Sequence, residues 1–346
     1  MPAFDAGLTL ADRMRSHAAD QQHLYGQLMR AMADDWDAGG PTRTICQGWE
    51  NAPEGAVVQL RLLAGLFRIV LTDRASELVP FYPCLGGEAP PAEAWPLVRD
   101  VLSRHTGELH DALDLAPQTN EAGRSTALLV GLFESVRRTG LSRIRLVELG
   151  ASAGLNLLVD RFRFVNAGWA VGPEESPLVV RDGVDGDVEP TAFELVARRG
   201  CDLQPVDANT ADGRLRLRSF VWPFQPARHE RLNAALEVAA TLPVSVDEAS
   251  AGEWLEAQLA QVVEDDVLTV VWQSITRLYW PLEETRRVNE AVSRAAATRP
   301  VAHIAMEFPL EGPSTGAELT LLLPGMAAPE VLAKVGDHGT PVAMTH

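Results

Sequence analysis

"IRLVELGASAGLNLLVDRF", Ile144 to Phe162, is the stretch that decides how this 346-residue chain folds. Ile144–Leu149 is a short apolar run with β-branched residues. A turn of small residues only, Gly150-Ala151-Ser152-Ala153-Gly154, ends it, and "LNLLVDRFRF" resumes helical character. Strand, tight turn and helix in that order open an α/β unit. The turn itself fits two chemistries. G-x-S-x-G is the nucleophile elbow of α/β-hydrolases, with Ser152 as nucleophile. With Glu148 just before it, the same turn is also an acidic, small-residue loop of the kind that takes a nucleotide-like cofactor.

Further along, "DDVLTVVWQSI" (residues 265–275) is a continuous apolar run of the type buried on both faces of a parallel sheet. "LEETRRVNEAVSRAAATR" predicts a helix leading into a second buried strand, "PVAHIAMEF", and "AELTLLLPG" and "TPVAMTH" predict two short strands closing an edge. "PLVVRD" (177–182) is a weak strand, and "LRLRSFVW" (215–222), whose arginines alternate with apolar residues, is a better one. Upstream the texture is helical, in three long apolar-periodic segments beginning at Leu10, Ala56 and Trp95. A fourth helix follows, capped by Thr119 or Asn120 and ended at Gly140. The expectation is a helical N-terminal region over residues 1–115. It precedes an α/β domain over 116–346, a mostly parallel sheet with helices on both faces.

Composition narrows the function. The formal net charge of −17 repels phosphate backbones, so nucleic acid is not an expected partner. Three cysteines, Cys46, Cys84 and Cys201, lie far apart with no C-x-x-C pair, which suits a reducing cytoplasm. The N-terminus lacks the basic start and apolar core of a signal peptide, and no apolar run is long enough to span a bilayer. The eight histidines form no H-E-x-x-H set, and no metal is expected.

An elbow needs an ordered Asp or Glu and then a His after later strands, and an oxyanion loop upstream. Here Ser152 follows the first strand, Gly86-Gly87 lacks the histidine of an H-G-G-G loop, and only His338 is placed to serve. A cofactor loop needs less. Ligands of parallel sheets lie outside the carboxyl ends of the strands, against a turn that favours small residues. Glu148 would repel a pyrophosphate and suits a ligand with a positive centre, such as the sulfonium and amino group of S-adenosylmethionine.

"VELGASAG" resembles motif I of the Rossmann-like, class I S-adenosylmethionine-dependent methyltransferases, [D/E]-x-G-x-G-x-G, with Ser152 in place of the middle glycine. The blocks "YPCLGG", "QTNEAGR", "ELGASAGLNLLVDRF", "ARRGCDLQPVD", "FVWP" and "VVWQS" together resemble a bacterial family, domain of unknown function 2332. The methyltransferase resemblance implies a Rossmann-like sheet, S-adenosylmethionine as cofactor and a small-molecule or protein acceptor. It also implies cofactor contacts from Glu148, Gly150, Ser152, Gly154 and Asn156, and an acid after the second strand for the ribose hydroxyls. Asp182 is the positional candidate, with Asp202 and Asp207 as alternatives. Asn120, Glu121 and Arg124, and Trp222, Gln273 and Ser274 near strand ends, are candidate cofactor or acceptor contacts. His229, Asp182 and Asp207 are the candidates if a base is needed. Two alternatives stand beside this reading: a ligand-binding protein that keeps the fold without turnover, and a hydrolase using Ser152.

Overall fold

The computed structural model describes residues 8–118, 120–310 and 316–345. In chain order, α1 (Leu10–Ala18), α2 (Leu24–Asp37), α3 (Pro41–Ile45), α4 (Val58–Leu71), α5 (Trp95–Arg104), α6 (Thr106–Ala112) and α7 (Ser125–Thr139) precede β1 (Arg143–Leu149). Four strands follow with no α-helix between: β2 (Arg163–Asn166), β3 (Trp169–Val171), β4 (Val179–Arg181) and β5 (Val184–Asp185). Next come β6 (Glu194–Asp202), α8 (Ala211–Phe220), α9 (Pro226–Thr241), β7 (Val246–Glu248), α10 (Ala251–Ala260) and β8 (Val267–Ser274). The chain continues with α11 (Leu282–Ala296), β9 (Val301–Glu307), β10 (Ala317–Leu322), β11 (Glu330–Val335) and β12 (Val342–Met344). No described helix is long and apolar enough to cross a membrane.

The chain forms two compact units, Met1–Thr119 with Ala211–Glu230, and Asn120–Thr210 with Arg231–His346. The first is helical. Met14, Tyr25, Met32, Phe67 and Tyr82 are fully or almost fully buried in its core. Two of its three predicted long helices are broken. Ala19, at φ +42, separates α1 from α2, and His105 separates α5 from α6. The region 215–222 is a correction: α8 occupies it where alternation predicts a strand. Its buried residues are Gly213, Leu217, Ser219 and Phe220, and Gly213, Leu217 and Phe220 are spaced at four and three. That helical stripe wins over the two-residue alternation.

The second unit holds a nine-stranded sheet in the order β5-β12-β11-β10-β9-β8-β1-β6-β7, most of whose pairings are parallel. This mixed α/β architecture matches the coarse expectation. From β1 the chain first builds outward to β6 and β7, then crosses to β8 and β9, so β1 and β8 flank the switch point of the parallel part. α7 packs on one face so closely that a Cβ on Gly131 would come within 2.6 Å of Ile304 Cγ2. On the other face, Leu255 of α10 and Val288 and Val292 of α11 share a buried cluster with Val147 and Val271. Each such buried aliphatic side chain contributes about 1.5–3 kcal/mol.

Several local expectations shift. "LNLLVDR" is a seven-residue 3-10 segment kinked at Leu158, and "RFVN" after it is strand β2. The weak strand does form, as β4, but in a separate β3-β2-β4 sheet. The second parallel strand beside β1 is therefore β6, a polar strand. Its arginines are neutralised by Arg198–Asp160 (2.6 Å) and Arg199–Asp247 (2.8 Å) ion pairs. The two predicted C-terminal strands form as β10 and β12, but they are not neighbours: β11, which the sequence reading does not predict, lies between them and pairs antiparallel with both.

Candidate functional site

The turn after β1 is built from left-handed backbone. Gly150 (φ +69), Ser152 (φ +55) and Gly154 (φ +73) alternate with Ala151 and Ala153. Left-handed φ costs a side-chain-bearing residue roughly 1–2 kcal/mol, and glycine almost nothing. This is the local reason for a G-x-small-x-G sequence. Neighbours crowd the turn as well. A Cβ on Gly150 would lie 2.3 Å from Thr276 Oγ1, and one on Gly200 of β6 would lie 2.5 Å from Ala151 Cβ.

Polar side chains from three directions hold the turn. Asn120 spans it, donating to Ala151 O (3.1 Å) and accepting from Leu155 N (3.0 Å). Asp202, at the end of β6, accepts from Ser152 N (2.9 Å) and Gln204 N (2.9 Å). Asn156 accepts from Ser125 Oγ (2.8 Å) and donates to Glu148 Oε1 (3.2 Å). Arg124 donates to the Ser274 carbonyl (3.1 Å), and Glu121 accepts from Arg231 Nε (2.9 Å) and Gly123 N (3.1 Å).

Glu148 is the chemically distinctive member. Only 1% exposed, it leaves Oε2 without a hydrogen-bond partner. Burial pushes its pKa up to about 8; the Asn156 amide pulls it down, the Asp202 carboxylate adds to the rise, and Trp272 and Arg124 oppose it weakly. The Trp272 indole N–H, opposite Glu148 in the β1–β8 register, is buried facing that carboxyl group but beyond close hydrogen-bond distance, and Ser152 Oγ is buried without a partner. Two acids and three unsatisfied buried polar atoms therefore gather at the carboxyl ends of β1, β6 and β8. A buried polar group left unpaired costs on the order of 1–3 kcal/mol. Ser152 Oγ hydrogen-bonds no histidine.

Most of the residues singled out in the sequence meet here: Glu148, Gly150, Ser152, Gly154, Asn156, Asn120, Arg124 and Ser274, with Glu121 in the same loop as Asn120 and Arg124. Three lie elsewhere: Asp182, Trp222 and His229. Asp182 follows β4 of the small sheet, where its own N–H donates to Val165 O (2.8 Å), so the acid that ends the second parallel strand is Asp202. Asp207 stays next to the β1 turn, since its neighbour Val206 donates its N–H to Ser152 O (3.1 Å), but its own carboxylate is engaged by Asn209 N (2.8 Å). Trp222 belongs to the helical unit, set edge-on to Tyr25 and His23, and His229 lies in that unit edge-on to Phe67.

Gln273 joins a buried relay that sequence reading does not reveal. His303 Nε2 and Gln273 Oε1 are 3.0 Å apart, and Gln273 Nε2 donates to Glu307 Oε1 (3.0 Å). The same oxygen accepts from Thr276 N and Arg277 N, each at 3.2 Å. Burial raises the Glu307 carboxyl and takes His303 down to about 4. No three His, Cys, Asp or Glu side chains converge as metal ligands among the described residues.

A family model described as "Uncharacterized protein conserved in bacteria (DUF2332)" matches residues 9–344. Neither a curated protein nor a solved structure matches the chain.

Proposed function

We propose that this chain, which belongs to the bacterial family DUF2332, is an S-adenosylmethionine-dependent methyltransferase acting on a small molecule or a protein. The observation that carries the reading is Glu148: a carboxyl group buried at the switch strand, one oxygen unpaired, beside a second acid at the end of the neighbouring strand. Such a pair suits a cationic ligand, because a positive centre relieves both desolvation and mutual repulsion. When bound, the cofactor would supply an electrophilic methyl group on a sulfonium centre. Glu148 and Asp202 would hold it, with Ser152 Oγ as a further acceptor.

The chain's own groups act by positioning. Asn156, fixed by Ser125, orients the Glu148 carboxyl group, and Asn120 locks the turn on both sides. Arg124 ties the start of α7 to the end of β8. Methyl transfer is an in-line displacement, so a rigid frame that fixes approach geometry supplies much of the rate enhancement.

A second reading, a binding protein without turnover, is favoured by Ser152, which stands where the methyltransferase motif carries its middle glycine. Titration calorimetry with S-adenosylmethionine and S-adenosylhomocysteine tests both. Binding of S-adenosylmethionine that Glu148→Gln weakens at least tenfold supports the site, and methyl transfer into a mixed-acceptor screen then separates enzyme from binder. Absence of heat and of any thermal shift at about 1 mM of either ligand would sink both.

A further inference from the structure

A cleft of about 680 Å³ opens between α11 and the face of β8, β9 and β10. Strand register places Gln273, His303, Ala305, Thr320 and Leu322 on that one face. Asn289, Val292 and Ala296 of α11 form one wall, and the segment 323–329 forms the other. The connection from Glu307 to Ala317 is shorter than α11, too short to lay a second helix of that length over this face. The volume falls within the range of small-molecule sites, about 300–1,000 Å³.

The lining has a sign. In a chain of net charge −17, the only Lys, Arg, Asp or Glu side chain lining the cleft among the described residues is Arg277. Its guanidinium donates to the Phe308 carbonyl, and no described carboxylate pairs with it at ion-pair distance. Deeper in, the relay fixes a second recognition element. Glu307 accepts from Gln273 Nε2, so Gln273 turns its Oε1 to His303. His303 Nε2 must then carry the proton, and its Nδ1 is left as an acceptor with no hydrogen bond among the described residues. The remaining lining mixes apolar side chains, Val292, Ala296 and Leu322 among them, with Trp280 and the uncharged polar Asn289, Ser293 and Thr320.

We infer that this cleft binds a small monocarboxylic acid with an apolar body and one hydrogen-bond donor. The carboxylate would pair with Arg277, the body would lie against Val292, Ala296 and Leu322, and the donor would reach His303 Nδ1. A single guanidinium balances one negative charge; a dianion would bring an uncompensated charge into an already acidic molecule, and a cation would face Arg277. The inference stands whatever binds at the β1 turn.

The probe is para-hydroxyphenylacetate, which carries all three groups; tyramine is the same ring with a cation in place of the acid. By calorimetry or saturation-transfer NMR on the full chain, the acid should bind with a Kd of about 10 µM to 1 mM, and tyramine should not. Arg277→Gln should weaken the acid about tenfold or more by removing the bidentate partner. Ala296→Trp should abolish binding by filling the cleft, while affinity for S-adenosylmethionine, where present, stays unchanged. Neither position is fully buried, so both variants should keep the wild-type circular dichroism spectrum. Equal binding of acid and amine, undiminished binding by both variants, or no binding of the acid at about 5 mM would each overturn the inference.

Discussion

Ser152 and Glu148 act through different physics, although four residues apart. Ser152 carries a side chain at φ +55, and its hydroxyl is buried without a partner. Ser152→Gly removes both penalties and loses only the glycine entropy term, so it should stabilise the fold by about 1 kcal/mol, read as a higher denaturation midpoint. Ser152→Ala, which keeps the left-handed cost, should gain less. Glu148 governs pH dependence. Its folded pKa of about 8 stands above the 4.5 of an ordinary glutamate, so the folded state holds the proton more tightly. The associated stability is full below pH 4.5, declines as pH rises and is gone above about pH 8. The steepest loss is about 1.4 kcal/mol per pH unit, and chemical denaturation of Glu148→Gln across that range should show the slope reduced by that share, with the raised Glu307 carboxyl still contributing in the same direction. A cation at this site binds the ionised form, so S-adenosylmethionine affinity should climb over the same interval as stability falls.

Elements show what a linear sequence carries and what it hides. β8 and most of β9 are apolar runs because they are buried over most of their length, and that pattern is legible without coordinates. β6 is not legible: Glu194, Arg198 and Arg199 read as surface, and it is the backbone ladder to β1, with Asp160 and Asp247 neutralising the two arginines from a distance in sequence, that makes a strand of them. That one hidden strand moves the acid beside the β1 turn from Asp182 to Asp202. α8 hides differently, since Leu215-Arg216-Leu217 satisfies a strand period locally while burial of Gly213, Leu217 and Phe220 sets a helical one. The turn itself was readable, because left-handed backbone demands small residues wherever it occurs. The relay from His303 to Glu307 was not, because its members meet only through strand register. Packing of α7 on β9 gives an element-level test. Gly131→Ala drives a methyl group to 2.6 Å from Ile304 Cγ2, and should destabilise by about 1–3 kcal/mol in urea titrations while leaving the β1 turn intact.

Across the whole molecule, 47 acidic side chains face 30 basic ones. Unscreened, that excess opposes compaction, so raising ionic strength from about 10 mM to 150 mM should raise the melting temperature. A fall would mean that the Arg–Glu and Arg–Asp surface pairs outweigh the net repulsion. The acidic field also makes the charge around Arg277 stand apart as a local reversal. One more consequence lies in the segment after β8. Ile275, β-branched, is held at φ +46, and the two residues after it hang by their N–H groups on a single Glu307 oxygen, with Thr276 pressed to Gly150. Such a segment is a latch with strain stored behind it. A ligand that took the space beside Gly150 would have to displace Thr276 first, and its capture would then be timed by the protein and not by diffusion. In stopped-flow mixing, the observed rate should level off as S-adenosylmethionine rises, and Ile275→Gly, which discharges the strain, should change that plateau. A rate that stays linear in ligand concentration would show the latch already open.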